Sequence, residues 1–231
     1  MKNSILKSAF TLLAILCAGF AFSQNKAERD VSEFTGISLG IHADLYLSQG
    51  SPQKLTIQAS EDELARIETT VKDGNLRIKC DGYNARFKDV RIWITVGEIE
   101  SLNVSGSGTI VADEPVKSEE LELKVSGSGN IKIKELQGGE VEASISGSGN
   151  IHLVGTADEM GVSISGSGSM SGGGLKVGEC DVRISGSGKC EVDATDELNA
   201  AISGSGKVTY YSNPQVDAAV SGSGRVRKGE K

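Results

Sequence analysis

The chain has 231 residues, with 31 acidic against 24 basic residues, a formal net charge of −7, 30 glycines, 3 prolines and 4% aromatics. An acidic surplus argues against nucleic acid or an anionic membrane surface as partner. Many glycines and few aromatics describe a chain of strands and turns around a thin aliphatic core.

Lys2 and Lys7 precede an apolar run from Ala9 to Phe22, and Ala21-Phe22-Ser23 offers small residues at both cleavage-determining positions before Gln24. This is the pattern of a secretory signal peptide over residues 1–23, too short for a favoured membrane anchor. Leu16 stands where lipidation at Cys17 would need a small residue. The protein is therefore expected in the periplasm, at the cell surface or outside the cell, with no transmembrane helix after cleavage. The mature chain keeps 22 basic and 31 acidic residues, a net charge of about −9. Its three cysteines, Cys80, Cys180 and Cys190, are too few and odd in number for a disulfide framework.

Residues 24–30 are read as a short tail. Strands are predicted at Gly36 to Leu39, Asp44 to Ser48, Lys54 to Ala59, Asn75 to Cys80 and Val90 to Val96. Ser60 followed by Glu63 is a helix-start signal, so Glu61 to Ile67 is predicted to form a turn or two of helix over a coil edge. Trp93, outward by parity between Arg91 and Thr95, is the best single contact candidate in this half, unless the Tyr83 to Lys88 segment covers it.

Ser-Gly-Ser-Gly then recurs from Ser105, Ser126, Ser146, Ser165, Ser185, Ser203 and Ser221, at spacings of 21, 20, 19, 20, 18 and 18. A period near 20 is the mark of a solenoid. Flanking residues alternate with period two. One position before each motif stand Val104, Val125, Ile145, Ile164, Ile184, Ile202 and Val220, and the positions three and five before and five after are equally apolar. That parity predicts both glycines inward, both serines outward, and equivalent strands stacked in parallel about 4.8 Å apart. The fold is read as all-β, a single right-handed parallel β-helix over 31–227, with irregular coils to 104, regular coils over 105–227, and a tail at 228–231. Cys180 and Cys190 fall on different inner walls, about 10 Å apart, so buried thiols are expected unless the coil is pinched.

The pattern Phe34-Thr35-Gly36-Ile37, Leu55-Thr56-Ile57, Val71-Lys72-Asp73-Gly74-Asn75-Leu76, Leu102-Asn103-Val104-Ser105-Gly106-Ser107-Gly108 and the Gly-Asn-Ile at Gly129 and Gly149 resembles the autotransporter adhesin head GIN domain family. The resemblance spans nearly the whole mature chain. It implies an exported bacterial right-handed β-helix without established enzymatic activity, and it carries over no functional residues. One departure is that the tail from Arg225 to Lys231 contains no outer-membrane barrel of the kind an autotransporter needs.

The register lets three outer surfaces be read. Six and four positions before each motif lie Glu120, Glu122, Glu140, Glu142, Glu159, Glu179, Asp181, Glu197 and Asp217, a double acidic stripe. Unit charges stacked 4.8 Å apart repel by about 1 kcal/mol even in water. Such a stripe either recruits a hard cation such as Ca2+, with Glu120, Glu122, Glu140, Glu142, Glu179 and Asp181 as ligands, or splays into solvent as a solubility device. The motif serines, Ser105, Ser107, Ser126, Ser128, Ser146, Ser148, Ser165, Ser167, Ser185 and Ser187 among them, form a hydroxyl lattice able to meet a glycan or envelope protein. Alternatively, serine simply suits a tight bend. Four positions after the motif, Thr109, Asn130, Asn150, Ser169, Lys189, Lys207 and Arg225 turn from an amide ladder to a basic end. His42 and His152 stand in no metal-ligand spacing and no catalytic residues are assigned. The expected function is a non-catalytic cell-envelope or adhesin-like binding protein with no cofactor beyond that possible Ca2+. The alternative is a β-helical polysaccharide lyase or hydrolase.

Overall fold

The computed structural model describes residues 25–80 and 87–230. The predicted signal peptide, Cys17 and positions 83–86 of the segment considered as a cover for Trp93 lie outside them.

In chain order the elements are β1 (Asn25–Arg29), β2 (Gly36–Leu39), β3 (Asp44–Gln49), β4 (Lys54–Ala59), α1 (Glu61–Arg66), β5 (Ile67–Lys72), β6 (Asn75–Cys80), β7 (Arg91–Val96), β8 (Ser101–Gly106) and β9 (Thr109–Ala112). There follow β10 (Val116–Gly127), β11 (Asn130–Gly147), β12 (Asn150–Gly166), β13 (Ser169–Gly186), β14 (Lys189–Gly204), β15 (Lys207–Tyr210), β16 (Gln215–Gly222) and β17 (Arg225–Lys228). Long strands such as β11 run round nearly a whole coil and break only at the Ser-Gly-Ser-Gly corner. Register shifts between Ile133 and Leu136 and the gap in pairing before Glu140 divide that coil into three sides.

From β8 onward the copies of the motif lie one above another. Ser105 pairs with Ser126, Ser126 with Ser146, and so through Ser165, Ser185 and Ser203 to Ser221, all parallel and in register. The result is a β-solenoid of about six turns. Its interior is the predicted aliphatic columns: Leu121, Val141, Met160, Cys180 and Leu198 on one wall, Ile110, Ile131, Ile151, Met170, Cys190 and Val208 on another, all buried. Each such side chain contributes about 1.5–3 kcal/mol by leaving water, so stability accumulates coil by coil. Cys180 and Cys190 are free thiols, as expected. Burial, with the neighbouring Asp181 charge, pushes the Cys180 thiol up to about 12, so it stays protonated and inert.

The motif glycines differ from expectation. The second of each pair points inward: a Cβ on Gly129 would lie 2.4 Å from Val104 Cγ1 of the preceding coil. The first does not. Gly127 has φ +117°, and its missing Cβ would sit 2.7 Å from the carbonyl oxygen of Gly106, along the stacking direction. The parity breaks at this corner because the chain turns there by adopting a backbone conformation closed to other residues. Carbonyls and amides on either side still bond between coils, as in Ser128 N–H to Gly106 O at 2.9 Å and Asn130 N–H to Gly108 O at 3.0 Å.

Before β8 the order of coils departs from the order of the chain. β2 lies between β6 and β8, and β3 between β7 and β9, all parallel. The chain therefore begins one coil in, loops outward to β6 and β7, and returns on the inner side as β8 and β9. Three further strands close the outer end: β4 antiparallel to β7, β1 antiparallel to β4, and β5 antiparallel to β6. Residues 25–29, expected as tail, are thus a sheet strand. The alternation Lys26, Ala27, Glu28 is too weak a signal to mark an edge strand whose register is set by β4. Helix α1 carries the full capping box, with Ser60 Oγ accepting from Glu63 N–H and Glu63 accepting from Ser60 N–H at 3.0 Å. Arg29 Nη2 donates to Leu64 O at 2.9 Å, tying β1 to the helix.

Candidate functional site

The outer columns run in register along the regular coils, so the residues of each predicted surface stack rung upon rung. Motif serines from Ser105 through Ser187 are exposed at both positions. Ser107 differs in meeting His42, whose Nδ1 lies 3.3 Å from its Oγ and from its carbonyl oxygen.

Beside the serine column the outward residues two positions before the motif are Lys124, Ser144, Ser163, Arg183, Ala201 and Ala219, ending in two alanines. Over the last four coils this leaves a shallow groove of about 490 Å³, bordered by Ser165, Ser185, Ser203 and Ser221 and crossed by Arg183, Ala201 and Ala219. Asp181, Asn199 and Asp217 line its other flank in an adjoining hollow of about 160 Å³. The groove was missed from the sequence because no residue type marks it. It is made by what Ala201 and Ala219 lack, set against the Arg183 beneath them.

The acidic stripe is real as a stack, with Glu120, Glu140, Glu159, Glu179 and Glu197 aligned on one column and Glu122, Glu142, Gly161 and Asp181 on the next. It is relieved locally. Lys124 pairs with Glu122, and Asn199 donates to Glu197 at 2.9 Å. At Gly161 the column has no side chain, and the Glu142 carboxylate folds over the gap, its oxygens 2.3 and 2.4 Å from where a Cβ would stand. Burial, then the neighbouring Glu140 charge, raises the Glu142 carboxyl above its ordinary range against the pull of Arg183. Among the described residues no group of three or more His, Cys, Asp or Glu side chains is placed to hold a metal ion, Glu120, Glu122, Glu140, Glu142, Glu179 and Asp181 included. Stacked strands keep each acid on its own rung, so the carboxylates line up without converging.

Trp93 is half-buried, and its expected lone exposure is corrected. It stacks on Tyr46 at 5.8 Å between ring centroids, β3 and β7 pairing those two residues directly, and Lys26 Nζ lies 4.9 Å over its ring. The cover therefore comes from β1 and β3. Asn150 donates to Asn130 at 2.9 Å, which makes the amide ladder a structural device. Lys189, Lys207 and Arg225 continue that column in register. Asp193, buried and unmarked by any sequence motif, accepts from Ser212 Oγ at 2.6 Å and fixes the turn into the last coil. His42 and His152 stand on different coils, and among the described residues no helix is long and apolar enough to cross a membrane.

The fold has known counterparts. The chain is similar to the crystal structure of a putative adhesin from Bacteroides fragilis NCTC 9343, at 24% identity and a TM-score of 0.86, over 90% of this chain and 97% of that one. It is also similar to a putative lipid binding protein from Parabacteroides distasonis ATCC 8503, at 25% identity and TM-score 0.73, over 90% and 97%. A third, a putative adhesin from Parabacteroides merdae ATCC 43184, has 24% identity and TM-score 0.71, over 90% and 96%. No curated protein matches the chain. Residues 33–214 match the family model described as "Putative auto-transporter adhesin, head GIN domain", a family of exported or cell-surface proteins. The chain belongs to that head GIN domain family.

Proposed function

We propose that this is an exported, non-catalytic envelope protein that binds a neutral, hydroxyl-rich glycan lengthwise along the groove of the last four coils. The observation that carries the reading is the groove itself: serine hydroxyls at each rung on one side, Asp181, Asn199 and Asp217 on the other, and a small apolar strip between. Each hydroxyl both donates and accepts, which suits sugar hydroxyls of alternating polarity. Rungs about 4.8 Å apart are comparable to the advance of a linear glycan per sugar. Asp181 and Asp217 outnumber the one cation of the groove, Arg183, so uronic or sulfated chains are disfavoured and a neutral ligand is selected. Export rests on the leader of residues 1–23 and on family membership.

Glycan-array binding followed by calorimetry tests this. Ala201→Trp fills the groove without touching the core and is expected to abolish binding while leaving the melting temperature in place. Undiminished binding by that variant, or no neutral glycan bound, would reject the reading. Release of sugar products from a bound glycan would move the protein to the enzyme class. The small apolar side chains of Ala201 and Ala219 favour a second reading, an acyl chain in the same groove, in line with the lipid-binding label of one neighbour. Partition of a labelled fatty acid onto wild type but not Ala201→Trp would select it.

A further inference from the structure

The two ends of the solenoid are finished differently. The outer end at β6 and β7 is covered by β1, β4, β5 and α1, so its backbone edge is largely paired and its inner columns are sealed. At the other end β16 pairs only with β14, and β17 only with β15. All eight residues of β16 are exposed, including the column residues Val216 at 38% and Val220 at 43%. Among the described residues these two are the exposed large hydrophobic side chains, and they sit together on one free strand edge. A polar capping coil, which solenoids need for solubility, is absent from this end of the described chain.

We propose that this edge is a self-association surface, on which a second copy of the protein docks tail to tail. Backbone hydrogen-bond groups along an open edge call for another strand. The far end finishes on β1 and β5, antiparallel to β4 and β6, and among the described residues no large hydrophobic side chain is exposed there, so the apolar edge meets its like in a closed two-fold dimer. The coil's own geometry selects the arrangement. The chain runs toward the Ser-Gly-Ser-Gly corner as β16 and away from it as β17, so a two-fold axis through that corner sets β16 of each copy antiparallel to β17 of the other. Counting outward from the corner, Val220 then lies beside Val226 of the second copy, extending the aliphatic column across the joint. Asp217 lies diagonal to Arg227, within reach of an opposite-charge cross-strand pair, twice by symmetry. The other two-fold arrangement would place the cations of β17, Arg225, Arg227 and Lys228, against one another. Lys228, the residue able to block the inner column with charge, is turned aside and donates to Asn213 Oδ1.

Sedimentation velocity of the natively exported protein across a concentration series tests the proposal. Wild type is expected to pass from monomer to dimer, with hydrogen exchange at the Val216 to Ser221 amides slowing as dimer accumulates. Asp217→Lys and Arg227→Glu are each expected to weaken the dimer on the order of tenfold. The double variant, which restores the pair with signs reversed, is expected to recover it. Because all four positions of the pair in the dimer are exposed in the monomer, melting temperature should hold in every variant. A monomer at all concentrations overturns the proposal, as does a dimer indifferent to both single changes or one that the double variant fails to rescue.

Discussion

The two halves of the molecule reach the same architecture by opposite means. The regular coils repeat one solution: an aliphatic column on each wall, a glycine corner, and an outer face left free to vary. The first hundred residues use each strand once, out of spatial order, with antiparallel strands, a capped helix and the Tyr46–Trp93 stack to seal an end. Repetition makes a wall cheaply in sequence terms but cannot make an end, because an end has a neighbour on one side only. Irregularity is where the solenoid is closed, and among the described residues β16 and β17 carry no such cover.

The sharpest way to break this contrast is to replace one glycine in each half. Gly147 has φ +118°, and its Cβ would stand 2.6 Å from Gly127 O. Gly147→Val is expected to cost about 3 kcal/mol or more, since neither the backbone conformation nor the rung below can yield. Gly97, in the first half, has nothing within 4 Å of a Cβ. Gly97→Ala is expected to stay within about 0.5 kcal/mol of wild type. Urea denaturation measures both. Equal effects would mean that the corner is not what holds the stack.

A smaller effect separates core from end. Ile145→Val removes one methylene from a sealed column between Val125 and Ile164, and is expected to cost about 1 kcal/mol. Val216→Ala, on the open edge, is expected to cost only a few tenths in the monomer. In the first half, Ser60→Ala removes the helix cap and is expected to cost about 1 kcal/mol, seen as faster hydrogen exchange confined to α1 and its neighbours.

How much of this was legible follows the same division. The period of the Ser-Gly-Ser-Gly motif and the parity around it placed the aliphatic inner columns correctly, because in a stack of parallel strands position in the repeat equals position in space. The first glycine of each pair was misread as inward since a period-two pattern carries no sign of a residue with positive φ. In the first half Gly36 to Leu39, Lys54 to Ala59 and the Ser60 cap could be read locally. The interleaving of β2 between β6 and β8 could not, because nothing in a single strand says which neighbour it will meet. At the surface, the stripes were legible as columns, while the groove at Ala201 and Ala219 came from relative side-chain size across four coils.

The smallest effect is the most diagnostic, because two glutamates should respond to pH in opposite directions. Burial pushes Glu63 up, but the Lys88 and Ser60 hydrogen bonds outweigh it and hold the carboxyl below 4.5, its ordinary value. Its contribution is therefore present above that value and lost as pH falls through the lower folded one. Glu142 is raised by burial and by Glu140, so its contribution is present below 4.5 and lost as pH climbs through the higher folded value. Glu142→Gln should accordingly stabilise the coils by a few tenths of a kcal/mol at neutral pH and by nothing in acid, whereas Glu63→Gln should destabilise the capped end at neutral pH and not in acid. Melting curves at pH 7 and at pH 3 distinguish the two. A Glu142→Gln variant no more stable than wild type at neutral pH would mean that the carboxylate over Gly161 is already relieved, by Arg183 on the far side of the gap or by solvent.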